Sequence, residues 1–246
     1  MKLDNQAICF NVIIVLLIEV MNMEFLLDTI DLNQIKEAVE YLPITGVTCN
    51  PSIVKKTNPK DFFEHCRSIR KIITTSRSLH IQVTEQDYEG MIEEAKTIVE
   101  KIDKHVYIKI PVTYEGIKAL KTLKQQGYNT TATAVYDLMQ AYLALACNVD
   151  YIAPYVNRIG NLGGNPQELI NELSNKIISD NYQTKIVGAS YKNLQQIKES
   201  FNNGANAITT TLDLLKTIFD NPSIDKAVKD FNDDWYSIYD SSLNEL

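Results

Sequence analysis

From Glu24 onward, short apolar runs alternate with longer segments whose apolar residues recur every three or four positions. The short runs predict strands at Phe25–Leu27, Gly46–Cys49, Leu79–Thr84, Val106–Ile110, Thr130–Ala134, Tyr151–Pro154, Lys185–Ala189 and Ala207–Thr209. Their cores are continuously apolar or β-branched, the pattern of parallel strands covered on both faces. The longer segments predict helices at Asp31–Tyr41, Tyr88–Lys101, Tyr114–Gln126, Tyr136–Cys147, Gln167–Ile178, Asn193–Phe201 and Leu212–Phe219. Met91, Ile92, Ala95, Ile98 and Val99 form one such stripe. Gly127 is a natural stop for the third helix. A last helix, Ser223–Tyr239, is rich in aromatics (Phe231, Trp235, Tyr236, Tyr239) and is suited either to cover the fold or to pack on a neighbouring subunit.

Alternating strands and helices in a chain of 246 residues predict an α/β protein, a single (β/α)8 TIM barrel with a C-terminal helical tail. No G-x-G-x-x-G follows the first strand, which argues against a dinucleotide-binding sheet. The net charge of −7, from 24 basic and 31 acidic residues, argues against a nucleic-acid partner. Cys9, Cys49, Cys66 and Cys147 have no metal or redox spacing and read as reduced thiols of a cytoplasmic protein. His65, His80 and His105 are scattered, so no metal ligand set is visible.

Residues 1–22 stand apart. Ala7–Ile18 is apolar apart from Asn11, yet shorter than the roughly 20 residues a membrane span needs. As a signal peptide it would lack a basic start, because Asp4 offsets Lys2, and no small-residue cleavage site follows. The favoured reading is an N-terminal extension translated upstream of a natural start at Met23, ahead of a barrel over 23–246. An appended helix or strand is the alternative, and no membrane association is expected.

In such a barrel, polar residues at the C-terminal strand ends converge on one face. That set is Asp28, Thr48, Asn50, Gln82, Lys109, Thr133, Tyr155, Arg158, Ser190 and Lys192. Lys109 is the sharpest, lying inside Val-Tyr-Ile-Lys-Ile-Pro, a strand that should be buried on both faces. A charged lysine there is costly unless paired, and burial favours the neutral amine, a nucleophile toward carbonyl carbon. The plain alternative is a snorkelling or ion-paired structural lysine. Asp28 would orient a substrate hydroxyl, or simply cap the helix beginning near Asp31. Asn50 before Pro51 is an ordinary turn signal whose amide could instead hold a hydroxyl. Gln82 and Thr133 are suited to hold a water, and Tyr155 to donate a proton. Arg158, Ser190 and Lys192, after the sixth and seventh strands, suit a phosphate.

Six ordered stretches then resemble one family. They are Glu24–Thr29 (EFLLDT), Gly46–Ser52 (GVTCNPS), Ile108–Thr113 (IKIPVT), Thr133–Tyr136 (TAVY), Ala153–Arg158 (APYVNR) and Ala189–Lys192 (ASYK). Together they resemble the small transaldolase / fructose-6-phosphate aldolase family from Met23 to about Tyr236. The family's proteins begin at the position of Met23.

The resemblance implies a class I mechanism with no cofactor or metal, in which Lys109 forms a Schiff base with a ketone. Asp28 and Asn50 match positions that contact donor hydroxyls, and Thr48 and Ala153 match lining positions. Gln82, Thr133 and Tyr155 match a water-holding group; Arg158, Ser190 and Lys192 match the phosphate side. Partners would be sugar phosphates and small ketones or aldehydes. The family commonly forms homo-oligomers, pentamers or decamers, by exchanging the C-terminal helix.

Transaldolases of the pentose phosphate pathway usually carry glutamate in place of Gln82 and phenylalanine in place of Tyr155. The Gln/Tyr pair resembles the aldolase branch, which cleaves fructose 6-phosphate to dihydroxyacetone and glyceraldehyde 3-phosphate. A tyrosine can protonate the enamine so that free ketone leaves; a phenylalanine cannot. Tyr191 in place of the usual phenylalanine, the glycine-rich Asn161–Pro166 loop and the polar Thr209–Thr211 depart from the family pattern, and residues 1–22 have no counterpart in it.

Overall fold

The computed structural model describes residues 23–245. The readings placed on residues 1–22, including the Ala7–Ile18 run and Cys9, lie outside the described residues. Eight parallel strands follow one another around a closed barrel: β1 (Glu24–Asp28), β2 (Ile44–Thr48), β3 (Ser78–Gln82), β4 (Val106–Pro111), β5 (Asn129–Val135), β6 (Tyr151–Pro154), β7 (Lys185–Gly188) and β8 (Ala207–Thr210). β1 pairs with both β2 and β8, which completes the ring. The (β/α)8 barrel expected from the hydrophobic pattern is the architecture observed.

The helices are α1 (Leu32–Tyr41), α2 (Pro51–Thr57), α3 (Phe62–Ile73), α4 (Tyr88–Lys101), α5 (Tyr114–Gln125), α6 (Leu138–Ala146), α7 (Val156–Asn161), α8 (Pro166–Ser179), α9 (Leu194–Asn202), α10 (Leu212–Lys216) and α11 (Pro222–Tyr236). Three of them, α2, α3 and α7, were not expected. α3 buries Cys66, Ile69 and Ile73, one stripe at helical spacing, and Asp61 caps it by accepting from Glu64 N. The other helices also begin on an Asp, Asn or Thr that caps the first turn, except α7. The cap position of α7 is Tyr155, and its side chain is engaged elsewhere.

Two apolar layers hold the fold. Outward-facing strand residues such as Leu27, Val47, Leu79, Ile81, Ile108 and Ile110 pack against the helices in the larger core. Leu26, Tyr151, Ala153, Val187 and Ala207 fill the barrel's interior, with Tyr107 against them. Strand alternation therefore separates the two sets and sends alternate residues toward the lumen, except where β5 shifts register between Ala132 and Val135. The aromatic tail does not cover the barrel, because no residue of α11 is buried and Val228 and Phe231 stand in the open. Among the described residues no helix is long and apolar enough to cross a membrane.

Candidate active site

The lumen-facing residues at the C-terminal ends of β1 to β5 are Asp28, Thr48, Gln82, Lys109 and Thr133. Lys109 is 4% exposed. In register beside it stand Gln82 on β3 and Thr131 on β5. The partly buried ion pairs of the described residues, Arg70–Asp103, Lys124–Asp150 and Lys185–Glu24, lie elsewhere, and none involves Lys109. Lys109 is thus neither an ion-paired structural lysine nor one that snorkels into solvent. A buried amine with no carboxylate paired to it is placed to attack a carbonyl carbon.

Three hydrogen-bonded groups stand at the same end of the barrel. Thr48 Oγ1 donates to Asp28 Oδ1 at 2.8 Å and lies 2.6 Å from Thr209 Oγ1. Asp28 does not cap α1, because Asp31 fills that role by accepting from the Asn33 and Gln34 amides. Its carboxylate remains at the strand end, supported by Thr48. The second group is Thr133 Oγ1 with Tyr155 OH, 3.2 Å apart. The third is Arg158, whose guanidinium sits 4.7 Å from the centre of the Tyr155 ring and donates to Tyr136 OH at 3.0 Å. That hydrogen bond to Tyr136 is the main cause raising the Arg158 pKa. Opposite, Gln82 Oε1 is buried with no hydrogen-bond partner among the described residues. An orphaned acceptor of this kind costs about 1–3 kcal/mol unless something donates to it.

The remaining expected residues are distributed around the rim. Asn50 caps α2, its Oδ1 accepting from the Ser52 and Ile53 amides. The turn reading therefore holds for its oxygen, and its amide NH2 is the part left for a ligand. Ala153 lies in the apolar lumen cluster, two residues below Tyr155 on the same strand face. Ser190 follows β7 with φ of 65°, a left-handed conformation that costs a non-glycine residue about 1–3 kcal/mol. Its carbonyl accepts from Asn157 N, and Gln196 bridges Asn157 Oδ1 and Lys192 N. These bonds stitch the Arg158 helix to the Ser190–Lys192 loop. The Lys192 side chain is exposed.

Four residues of the site were not singled out from the sequence: Tyr136, Thr209, Thr131 and His80. The alternation Leu79-out, His80-in, Ile81-out, Gln82-in carries the signal for His80. It is fully buried, stacks on Tyr107 at 4.6 Å, and its Nδ1 lies 2.8 Å from Thr131 Oγ1. It forms the floor beneath the Gln82–Lys109–Thr131 level. Burial, reinforced by the charges of Lys109 and Arg70, holds its pKa well below the usual histidine range. Cys49 lies close by, and burial pushes its thiol up to about 11 despite the opposing pull of Lys109. It therefore stays protonated near neutrality and is no rival nucleophile.

A buried neutral histidine makes the fold acid-labile. The unfolded chain takes up a proton on His80 below its ordinary pKa of about 6.5, and the folded chain does not. The contribution of His80 is therefore fully present above that pH and is lost as pH falls, by about 1.4 kcal/mol per unit. Between pH 6.5 and 5, urea unfolding of wild type should show this extra slope and His80→Phe should lack it. Identical slopes would contradict the assignment.

A cavity of about 600 Å³ opens at the other end of the barrel, lined by Glu24, Arg77, Tyr107, Asn129 and Tyr151 among others. Lys109 and its polar neighbours stand at the opposite, C-terminal mouth, the end where barrels of this kind place their active sites. Among the described residues there is no group of three or more His, Cys, Asp or Glu placed to hold a metal ion.

The closed parallel barrel, with a buried strand lysine beneath carboxylate, amide and hydroxyl groups at its C-terminal mouth, defines the class as a (β/α)8-barrel enzyme. The chain belongs to the family described as transaldolase/fructose-6-phosphate aldolase, whose sequence model matches residues 25–245. It is 42% identical over 219 residues to a probable fructose-6-phosphate aldolase of Streptococcus pneumoniae (strain ATCC 700669 / Spain 23F-1), which covers 89% of this chain and 99% of that protein. A probable transaldolase of Shouchella clausii (strain KSM-K16) is 34% identical over 213 residues, 87% of this chain and 97% of its own. Another, of Petrotoga mobilis (strain DSM 10674 / SJ95), is 34% identical over 224 residues, 90% and 100%.

Proposed function

We propose that the chain is a Schiff-base aldolase that reversibly cleaves fructose 6-phosphate to dihydroxyacetone and glyceraldehyde 3-phosphate. The observation that carries this is Lys109, buried on β4 with no ion-pair partner among the described residues, with Gln82 beside it and the Thr133–Tyr155 pair at the same mouth. Lys109 Nζ attacks the C2 carbonyl, and the carbinolamine loses water to give an iminium. The iminium draws in the electrons of the C3–C4 bond as the C4 hydroxyl gives its proton to the Asp28 carboxylate, and the aldehyde leaves. Tyr155 returns a proton to C3 of the enamine, and hydrolysis frees dihydroxyacetone and Lys109. Gln82 and Thr133 hold the water, Asp28 and Asn50 hold donor hydroxyls, and Thr48 and Ala153 line the donor side. Arg158, Ser190 and Lys192 take the phosphate. The reaction runs in the cytoplasm, in a homo-oligomer whose contacts include the open apolar face of α11.

Transaldolase is the second reading, supported by the names of the two 34% relatives. Acceptor dependence separates the two. Supplied with fructose 6-phosphate alone, the enzyme should release glyceraldehyde 3-phosphate at its full rate. Release only after erythrose 4-phosphate is added would establish the transferase instead.

A further inference from the structure

Tyr136 holds a place that an unbroken β5 would not give it. Ala132 pairs with Ile152 but Val135 with Pro154, so one extra residue is accommodated on β5 as a bulge. Ala134 absorbs it at φ of 55°, a conformation costing a non-glycine residue about 1–3 kcal/mol. The bulge changes the phase of the strand. Thr133 faces the lumen, Val135 is fully buried in the outer core, and Tyr136 comes back to the mouth. There its ring meets Tyr155 edge-on at 5.5 Å, and its hydroxyl accepts from Arg158 Nη1.

Resting on the proposed aldolase reading, we infer that Tyr136 is a positioning residue for the phosphate-bearing substrate, holding Arg158 against the Tyr155 ring so that phosphate recognition and the proton donor form one unit. Arg158 is exposed and long, and an unrestrained arginine would lose its rotamer freedom on binding. Anchored by one of its five N–H donors on Tyr136 and by stacking on Tyr155, it keeps four donors for an anion and is ordered before the ligand arrives. The same guanidinium touches the ring whose hydroxyl is paired with Thr133. The anion site and the proton donor therefore meet in one side chain.

Tyr136→Phe removes the hydroxyl and keeps the ring. Titrated calorimetrically with inorganic phosphate, the full-length variant should bind about tenfold more weakly than wild type, the typical loss when a long side chain is no longer preorganised. In aldol addition of dihydroxyacetone, its preference in kcat/KM for glyceraldehyde 3-phosphate over unphosphorylated glyceraldehyde should fall about tenfold, mostly in KM. Arg158→Met should lose the same preference, and the double variant should lose no more than Arg158→Met. Unchanged phosphate affinity, equal slowing with both aldehydes, additive losses or no phosphate binding by wild type would each overturn the inference. Failure of the aldolase reading looks different: no turnover with either aldehyde, while the phosphate titration still reports on Tyr136.

Discussion

Lys109→Met is expected to abolish turnover, by about 10⁴-fold or more, the scale of losses when a covalent nucleophile is removed. The protein should nevertheless fold as well as wild type or better. Among the described residues Lys109 makes no ion pair, and it is almost wholly buried, so the fold should not depend on its amine. A thioether of similar length fills the same space and carries no polar group that needs a partner. A gain of about 1 kcal/mol would raise Tm by roughly 2–4 °C in a domain of this size. Kinetics and a thermal melt check both parts. A variant that fails to fold would show Lys109 to be structural, and one that turns over normally would remove it from the chemistry.

Tyr155→Phe is expected to divide the two reactions. The ring beneath Arg158 and the edge contact with Tyr136 survive, and only the hydroxyl paired with Thr133 is lost. Without that acid the enamine waits for an aldehyde. Aldol cleavage should fall about 10²–10⁴-fold, the range of general acid catalysis, while transfer to erythrose 4-phosphate falls by less than tenfold. Initial rates with and without the acceptor measure this, and equal losses would contradict the role given to Tyr155.

The barrel was legible because each strand is a compact apolar run and most helices carry a clear stripe. α2 was missed because Asn50-Pro51 reads first as a turn, and α3 was missed although Cys66, Ile69 and Ile73 carry its signal. α7 was missed because Tyr155 gives it no capping signal of the usual kind. At the site, strand-end position was enough to nominate Lys109, Gln82, Thr133 and Asp28. It could not say which of them meet, since Thr48 with Asp28 and Thr133 with Tyr155 are pairs made by strand register across the barrel. Asp28 illustrates the limit, because only the observed cap at Asp31 frees it from the local reading. Tyr136 was hidden for a different reason. Simple alternation would turn Val135 inward and Tyr136 outward, and the bulge at Ala134 reverses both. A chain of ordinary residues, Thr-Ala-Val-Tyr, carries no glycine to announce that bend.

Borohydride trapping tests the central claim most directly. The full-length chain is incubated with dihydroxyacetone, reduced with sodium borohydride and digested, and its peptides are weighed by mass spectrometry. One reduced adduct on Lys109, absent from Lys109→Met, is the result expected. No adduct, or an adduct on another lysine with Lys109 unmodified, would contradict the Schiff-base assignment.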